Sequence, residues 1–178
     1  MVDSRFAAFT SGGLGFGPAL LQQYDSAGGV AVNRFRSPAR PGNVLVLWGT
    51  GLGAIEPGDD AAPPGGNLRN DVTIHIGGTS IKPAYAGRAP GLPGVDQINF
   101  ALPESVPEGC FVPLQVTVGS SDLGQLVFSA AAAGDSCTSE FNLGPENLTK
   151  LDEGKTIRVA VLSYSADPSK TEQQTLEA

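Results

Sequence analysis

The side chains best suited to ligand binding lie in a long loop between residues 53 and 71. This stretch contains three prolines and shows no hydrophobic periodicity, and loops of this length in compact domains are often functional. Its acidic side chains offer oxygen ligands to Ca²⁺, but their spacing differs from that of an EF-hand, so a solvated acidic loop is the simpler interpretation. We expect no bound metal and treat the loop as a possible binding flap, with the polar members Glu56, Asp59, Asp60, Asn67 and Arg69.

A glycine-rich turn, Gly49–Gly53, comes directly before this flap. A dinucleotide-binding fingerprint needs a different glycine spacing and must open a helix. The segment that follows here, AIEPGDD, cannot form a helix, and the Gly-Lys-Ser/Thr sequence of a phosphate-binding loop is absent. We therefore interpret the glycines as a strand corner that allows positive φ and close packing, and we expect no cofactor.

Catalytic constellations are sparse in this chain. The one histidine, His75, alternates with apolar residues in the pattern VTIHI, which predicts an outward position on a strand. A nucleophile elbow Gly-x-Ser-x-Gly is absent. Spacing alone does not exclude paired carboxylates like those of glycoside hydrolases, but no motif links an acid to a substrate cleft. We predict that the protein is not an enzyme and that His75 is a surface residue.

The two cysteines, Cys110 and Cys137, lie just before one predicted strand and just after the next. In an antiparallel pair these two ends meet, which favours a disulfide. A pair of buried thiols is the alternative. Closing the loop would stabilise the fold by about 3 kcal/mol in the chain-entropy model, and a disulfide indicates an oxidising compartment. Two cysteines and one histidine are too few for a zinc site.

Charge and hydropathy exclude several classes of partner. The formal net charge of the 178 residues is −7, which argues against nucleic acid and anionic membranes because phosphate binding needs a basic face. No run of about 18 apolar residues predicts a membrane span, and the first residues do not resemble a signal peptide. We expect a secreted or cell-surface location, with any signal peptide removed or outside this sequence.

Short strand patterns separated by turns occupy most of the chain. Glycine and proline number 24 and 14, which leaves little room for long helices. Alternating or continuous apolar runs bounded by turn residues predict an all-β sandwich. Besides a short segment at 6–10, the candidate strands are 18–24, 30–35, 44–48, 72–76, 81–85, 95–102, 111–118, 126–133 and 156–164.

Individual residues refine this prediction. We expect Trp48 to anchor the core from the strand at 44–48, and Pro113 to place its strand at an edge or at a bulge. A short helix is predicted over Pro145–Leu151. The chain then divides into an N-terminal extended segment and hairpin over residues 1–40, the sandwich over residues 41–137, and an extension over residues 138–178 that adds one strand.

Several short motifs follow one another in an order that resembles a known family. They are PG at 41–42, VLVLWGTGLG at 44–53, VTIHIGG at 72–78, YAG at 85–87, APG at 89–91, DQIN at 96–99 and LP at 102–103. Residues 6–137 thereby resemble the uncharacterised C-terminal domain of large secreted proteins from Solibacter-type soil bacteria, a family similar to immunoglobulin-like TIG (IPT) domains. The resemblance implies an extracellular immunoglobulin-like sandwich at the end of a modular chain, and it implies no catalytic residue.

Two functional hypotheses follow. The leading one is a non-catalytic module for adhesion, recognition or spacing at a protein or polysaccharide surface. The alternative is a subunit of an extracellular filament, in which a strand of one copy completes the sheet of a neighbouring subunit. Its candidate donor strands are Phe6–Thr10 and Thr156–Tyr164. Exposed rings among Trp48, Tyr85 and Tyr164 would favour glycan stacking, and buried rings would favour a scaffold.

Overall fold

The structure, a computed structural model, describes residues 4–13, 15, 17–56, 67–68 and 70–160. These residues form a sandwich of two antiparallel sheets with one short helix near the end of the described chain. The predicted all-β sandwich is confirmed. Within the described ranges, no helix is long and apolar enough to cross a membrane.

The chain order of the elements is regular, and most strands are short. In that order they are β1 (Ala7–Ala8), β2 (Leu21–Tyr24), β3 (Val30–Val32), β4 (Val44–Thr50), β5 (Ile55–Glu56), β6 (Asn67–Leu68), β7 (Val72–Ile76), β8 (Thr79–Ile81), β9 (Tyr85–Arg88), β10 (Asp96–Ala101), β11 (Gly109–Val118), β12 (Ser121–Ala130) and the helix α1 (Pro145–Asp152).

The strands divide between two large sheets and one small hairpin. Sheet 1 has the order β3-β2-β4-β10-β9, and β1 pairs with the end of β4 beside β2. Sheet 2 has the order β12-β11-β7-β8, and β5 pairs only with β6. The predicted hairpin of β2 and β3 is confirmed. Its turn is closed by Asp25, which accepts hydrogen bonds from the backbone N–H groups of Ala27 and Gly29.

The core lies between the sheets and follows the two-residue period of each strand. In β4, Leu45 and Leu47 point inward and are fully buried. Trp48 follows Leu47, so it must point to the opposite, outer face, where it is partly buried. The prediction that Trp48 anchors the core is therefore wrong, and Leu45 and Leu47 have that role.

The turn at Gly77–Gly78 fixes the pairing of β7 with β8. Both glycines have positive φ, and the strands pair immediately on either side of them, with Ile76 opposite Thr79. The predicted partner strand Ile81–Tyr85 is therefore wrong in its bounds, because pairing starts before it. Ile81 ends β8, and Tyr85 lies across the sandwich in β9 of sheet 1.

Pro113 lies in β11, a central strand, and the lack of its N–H is tolerated for a local reason. The backbone of Val127, opposite Pro113, bonds away from β11, so the nitrogen of Pro113 points toward the β7 side. Pairing with β7 begins only at Leu114. The predicted edge strand is wrong, but irregularities in the β11–β12 register flank Pro113, as the alternative of a bulge predicts.

Segments from the N-terminal region close the outer edge of β12. Ala19 donates a backbone hydrogen bond to Val127 at 2.9 Å, and Ala39 donates one to Ser129 at 2.9 Å. At Ser129 itself, the side-chain amide of Asn33 also donates to the carbonyl at 2.8 Å and accepts from the N–H at 2.9 Å. A side chain thus takes the place of a strand residue, and the two sheets are joined along this edge.

The helix α1 is attached by a small second core. The predicted disulfide between Cys110 and Cys137 is present, with the two Cα atoms 5.0 Å apart, and it packs with Phe35 and Leu148. The carboxylate of Asp152 accepts hydrogen bonds from the backbone N–H of Phe35 at 2.9 Å and of the next residue at 2.8 Å. The predicted helix is confirmed, and it ends one residue later than expected.

The predicted strand Thr156–Tyr164 does not form over its first five residues. Residues 156–160 lie outside any strand, and Val159 is exposed to solvent. Strand propensity depends on an edge to pair with, and these residues have no such partner within the described chain. Residues 161–164 lie outside the described residues.

Candidate functional site

The glycine-rich corner after β4 is packed against the N-terminal segment. Gly51 and Gly53 have φ values of +88° and +107°. A Cβ on Gly49 would overlap the ring of Phe6, and one on Gly51 would overlap the carbonyl oxygen of Arg5. The interpretation of these glycines as a corner with positive φ and close packing is confirmed.

A buried ion pair holds the same corner from inside the sandwich. Asp96 is 1% exposed, and its carboxylate accepts the backbone N–H of Leu52 at 2.8 Å and pairs with the guanidinium of Arg88. Arg88 also donates to the carbonyl of Gly53 at 3.0 Å. Charge-assisted hydrogen bonds of this kind offset the cost of burying the carboxylate. They fix the end of sheet 1 that carries Trp48.

The predicted binding flap falls mostly outside the described residues. This applies to Asp59, Asp60 and Arg69. Glu56 and Asn67 are described only by their backbones, which pair with each other in the hairpin of β5 and β6. In the described part of the chain, no group of three His, Cys, Asp or Glu side chains is placed to hold a metal ion.

The outer face of sheet 1 has no charged side chain at the outward positions of its described strands. We call this surface the neutral face. Exposed regions of soluble proteins are about one-quarter to one-third charged, and this chain has 29 charged residues in all (11 basic plus 18 acidic). The register arranges the outward residues in three rows across the strands: Val30, Tyr24, Val44 and Ala101; Val32, Gln22, Val46, Asn99 and Tyr85; Phe9, Trp48, Gln97 and Gly87.

Aromatic and aliphatic groups dominate the neutral face. Trp48, Tyr24 and Tyr85 are partly buried among their neighbours, and Phe9 is exposed. Val30, at the edge strand β3, is 54% exposed. Apolar side chains gathered on one outer face favour a contact site over a surface built only for solvation.

Amide side chains lie between the rings. Gln22, Gln97 and Asn99 each occupy an outward position beside an aromatic or a valine residue. The Oδ1 atom of Asn99 is buried and has no hydrogen-bond partner. Since buried polar atoms are normally paired, this oxygen is an unmatched acceptor on the neutral face.

The outer face of sheet 2 has a different composition. We call it the polar face, and its outward residues include Thr73, His75, Ser80, Phe111, Pro113, Gln115, Thr117, Asp122 and Val127. His75 lies on this face, as its position in the VTIHI pattern predicts. Its Nδ1 atom lies 3.0 Å from Ser80 Oγ and its Nε2 atom 3.1 Å from Thr117 Oγ1, and Thr117 donates to Asp122 Oδ1 at 3.0 Å.

The partners of His75 were not predicted from the sequence. Ser80 could have been found, because a two-residue turn at Gly77–Gly78 places the fifth residue after His75 directly opposite it. Thr117 lies 42 residues from His75, and its proximity depends on the pairing of β7 with β11. No local pattern encodes that pairing.

No protein-family model, curated protein or solved structure matches this chain. The resemblance to a family of secreted bacterial domains therefore stays a prediction. The function has to be inferred from the two outer faces and from the fold that presents them.

Proposed function

We propose that this chain is a non-catalytic, immunoglobulin-like recognition module of a secreted or cell-surface protein, and that it contacts a polysaccharide surface through the neutral face. The observation that carries this proposal is the absence of charge from the described outward positions of sheet 1, together with partly buried rings at Trp48, Tyr24 and Tyr85. The chain has a net charge of −7, so a face without charge is suited to contact with an uncharged partner.

The strand order supports an immunoglobulin-like assignment. In immunoglobulin domains one sheet contains strands A, B, E and D, and the other contains G, F and C, with an added C′ in some members. Here β2-β4-β10-β9 corresponds to the first order and β12-β11-β7-β8 to the second. The chain also passes between the sheets at the equivalent points, after β4, β8 and β10.

Two features depart from the antibody pattern. Antibody domains join strands B and F by a disulfide and pack a tryptophan of strand C against it. In this chain Cys110, in the strand equivalent to F, is joined to Cys137 beyond the last strand, and Trp48 lies on the outer face of the strand equivalent to B. The disulfide still supports an oxidising, extracellular location.

The mixture of rings and amides favours a polysaccharide over a protein partner. The C–H face of a sugar ring is apolar and packs against aromatic side chains, and its hydroxyl groups bond to amides. Trp48 and Tyr85 lie two strands and two residues apart, about 12 Å at the usual strand spacing and rise. Asn99, a partly exposed residue, lies on the strand between them, and its amide group can hydrogen-bond to a hydroxyl group.

The test is co-sedimentation with insoluble cellulose, chitin and starch, and with an acidic polysaccharide gel as the charged comparison. We expect binding to at least one neutral polymer and its loss in Trp48→Ala. The matched control is Phe141→Ala, which removes a 50% exposed ring that is not part of sheet 1. Absence of binding to every neutral polymer would contradict recognition through this face and leave a spacer role.

A filament subunit is the second candidate. Phe6–Thr10, one proposed donor segment, pairs with β4 of its own sheet through Ala7 and Ala8, which weakens that version. Residues 156–160 have no strand partner in the described chain, and Val159 is exposed. These observations favour the segment that begins at Thr156 as the donor strand. Light scattering tests it: a monodisperse monomer would argue against strand exchange, and assembly that disappears on truncation after residue 155 would support it.

A further inference from the structure

Four side chains on the polar face form one continuous hydrogen-bonded chain: Asp122, Thr117, His75 and Ser80. The three links measure 3.0, 3.1 and 3.0 Å from the carboxylate to the serine. The residues lie on neighbouring strands of sheet 2. Asp122 is directly opposite Thr117, and Ser80 is directly opposite His75, whereas His75 and Thr117 are diagonal neighbours on β7 and β11. The backbone hydrogen bonds between these strands therefore hold the four side chains in position.

For a neutral imidazole ring, only one order of protons satisfies all three links. An ionised carboxylate can only accept, so the hydroxyl of Thr117 donates to Asp122. The oxygen of Thr117 must then accept from His75, which places the ring proton on Nε2. The other ring nitrogen, Nδ1, is left with a free lone pair, and the hydroxyl of Ser80 donates to it at 3.0 Å.

We propose that Ser80 is an activated hydroxyl that accepts an acyl group from an activated ester, with His75 as its general base. A hydroxyl hydrogen-bonded to a neutral imidazole is the arrangement that activates serine nucleophiles in general. Thr117 and Asp122 keep the ring in the tautomer that can accept the proton. The inference goes beyond recognition by the neutral face, because the polar face lies on the opposite side of the sandwich.

The step is balanced without any further reactant. Ser80 Oγ forms a bond to the carbonyl carbon of the ester, and its proton passes to His75 Nδ1. The bond between the carbonyl carbon and the leaving oxygen breaks, and the leaving oxygen takes up that proton. The products are O-acyl Ser80 and a free alcohol or phenol, and no group is oxidised or reduced. Ser80 is exposed, so a small ester reaches it directly from solvent.

The experiment uses p-nitrophenyl acetate at neutral pH on the full chain, with acetylated sites mapped and timed by mass spectrometry. Ser120 is the internal control, because it is also exposed, lies in the turn between β11 and β12, and is not hydrogen-bonded to the one histidine, whose ring faces Ser80 and Thr117. General-base assistance contributes about 100-fold or more, so we expect Ser80 to be acetylated about 100 times faster than Ser120. Equal rates at the two serines would overturn the proposal.

A variant separates the chemistry from any structural role of the histidine. His75→Gln keeps an amide that can hydrogen-bond to Ser80 but removes the group that accepts its proton. We expect acetylation of Ser80 to fall to the rate of Ser120, while Gln115→Ala, next to His75 on β11, leaves it unchanged. If His75→Gln folds and still reacts rapidly at Ser80, His75 is not the base and the proposal fails.

Discussion

The neutral face and the polar face are built on the same backbone pattern, yet their side chains differ in kind. Each belongs to an antiparallel sheet that turns alternate residues into one shared core. Sheet 2 is closer to the usual rule for such sheets, with apolar residues inward and mainly polar residues toward water, although Phe111 and Pro113 also point outward. Sheet 1 departs from this rule because it has apolar residues on both faces. Its core residues point inward, and Val30, Val44 and Trp48 point outward.

This difference shows that the core did not determine the outer residues of sheet 1. Burial requires apolar residues only at inward positions, so valines and rings on the outer side need another reason. The aspartates in the strands of the two sheets differ in the same way. Asp96 of β10 is turned into the protein beside Arg88, whereas Asp122 of β12 lies on the outer face of sheet 2.

The largest expected difference between the two sheets is tested by removing each aspartate in turn. Asp96→Ala leaves the Arg88 guanidinium without its buried partner and the N–H of Leu52 without its acceptor, so we expect a loss of about 3 to 5 kcal/mol in the free energy of unfolding. Asp122→Ala removes an exposed acceptor and should cost less than about 1 kcal/mol. Urea unfolding of both variants measures the difference, and equal losses would show that Asp96 does not hold the corner.

Removal of the disulfide should cause the next largest loss of stability. The resulting increase in hydrogen exchange should be confined to one side of the molecule. Cys110 lies in β11 of sheet 2, and the bond closes a segment of 27 residues. The double variant Cys110→Ser with Cys137→Ser should lose about 3 to 4 kcal/mol. Hydrogen exchange should rise in α1 and at the start of β11, while β4 and β10 of sheet 1 change little. A uniform rise over both sheets would contradict this division.

The sequence predicted the strands better than it predicted the faces. Inward residues such as Ile74 and Phe100 follow from alternation alone, and the corner at Gly49–Gly53 follows from its glycines. The neutral face could not be predicted in this way. It is assembled from strands whose neighbours are set by long-range pairing, and the continuous run at Val44–Trp48 is equally compatible with a strand buried on both sides.

The amide of Asn33 offers a smaller and more local test. It pairs with both backbone groups of Ser129, 96 residues away, and is itself buried. Asn33→Ala leaves the Ser129 N–H unpaired, while the Ser129 carbonyl still accepts from Ala39, so we expect a loss of about 1 to 3 kcal/mol. The control is Gln22→Ala on the neutral face, which should change stability by less than about 0.5 kcal/mol. If Asn33→Ala is as stable as the control, water replaces the amide, and the Asn33 side chain is not needed to join the two sheets at this edge.

The smallest effect on stability should give the clearest functional contrast. Val46 lies at the centre of the neutral face and is 6% exposed, and a lysine there can extend its ammonium group to water, so we expect Val46→Lys to cost only about 1 kcal/mol. The same substitution on the polar face, Gln115→Lys, should be neutral within about 0.5 kcal/mol. Both variants add one positive charge, so any effect of net charge is shared. Binding to a neutral polysaccharide should be lost in Val46→Lys and kept in Gln115→Lys, because only the first places an ion where the partner offers no counter-charge. Equal loss or equal retention would show that the two faces do not differ in function, whatever their composition.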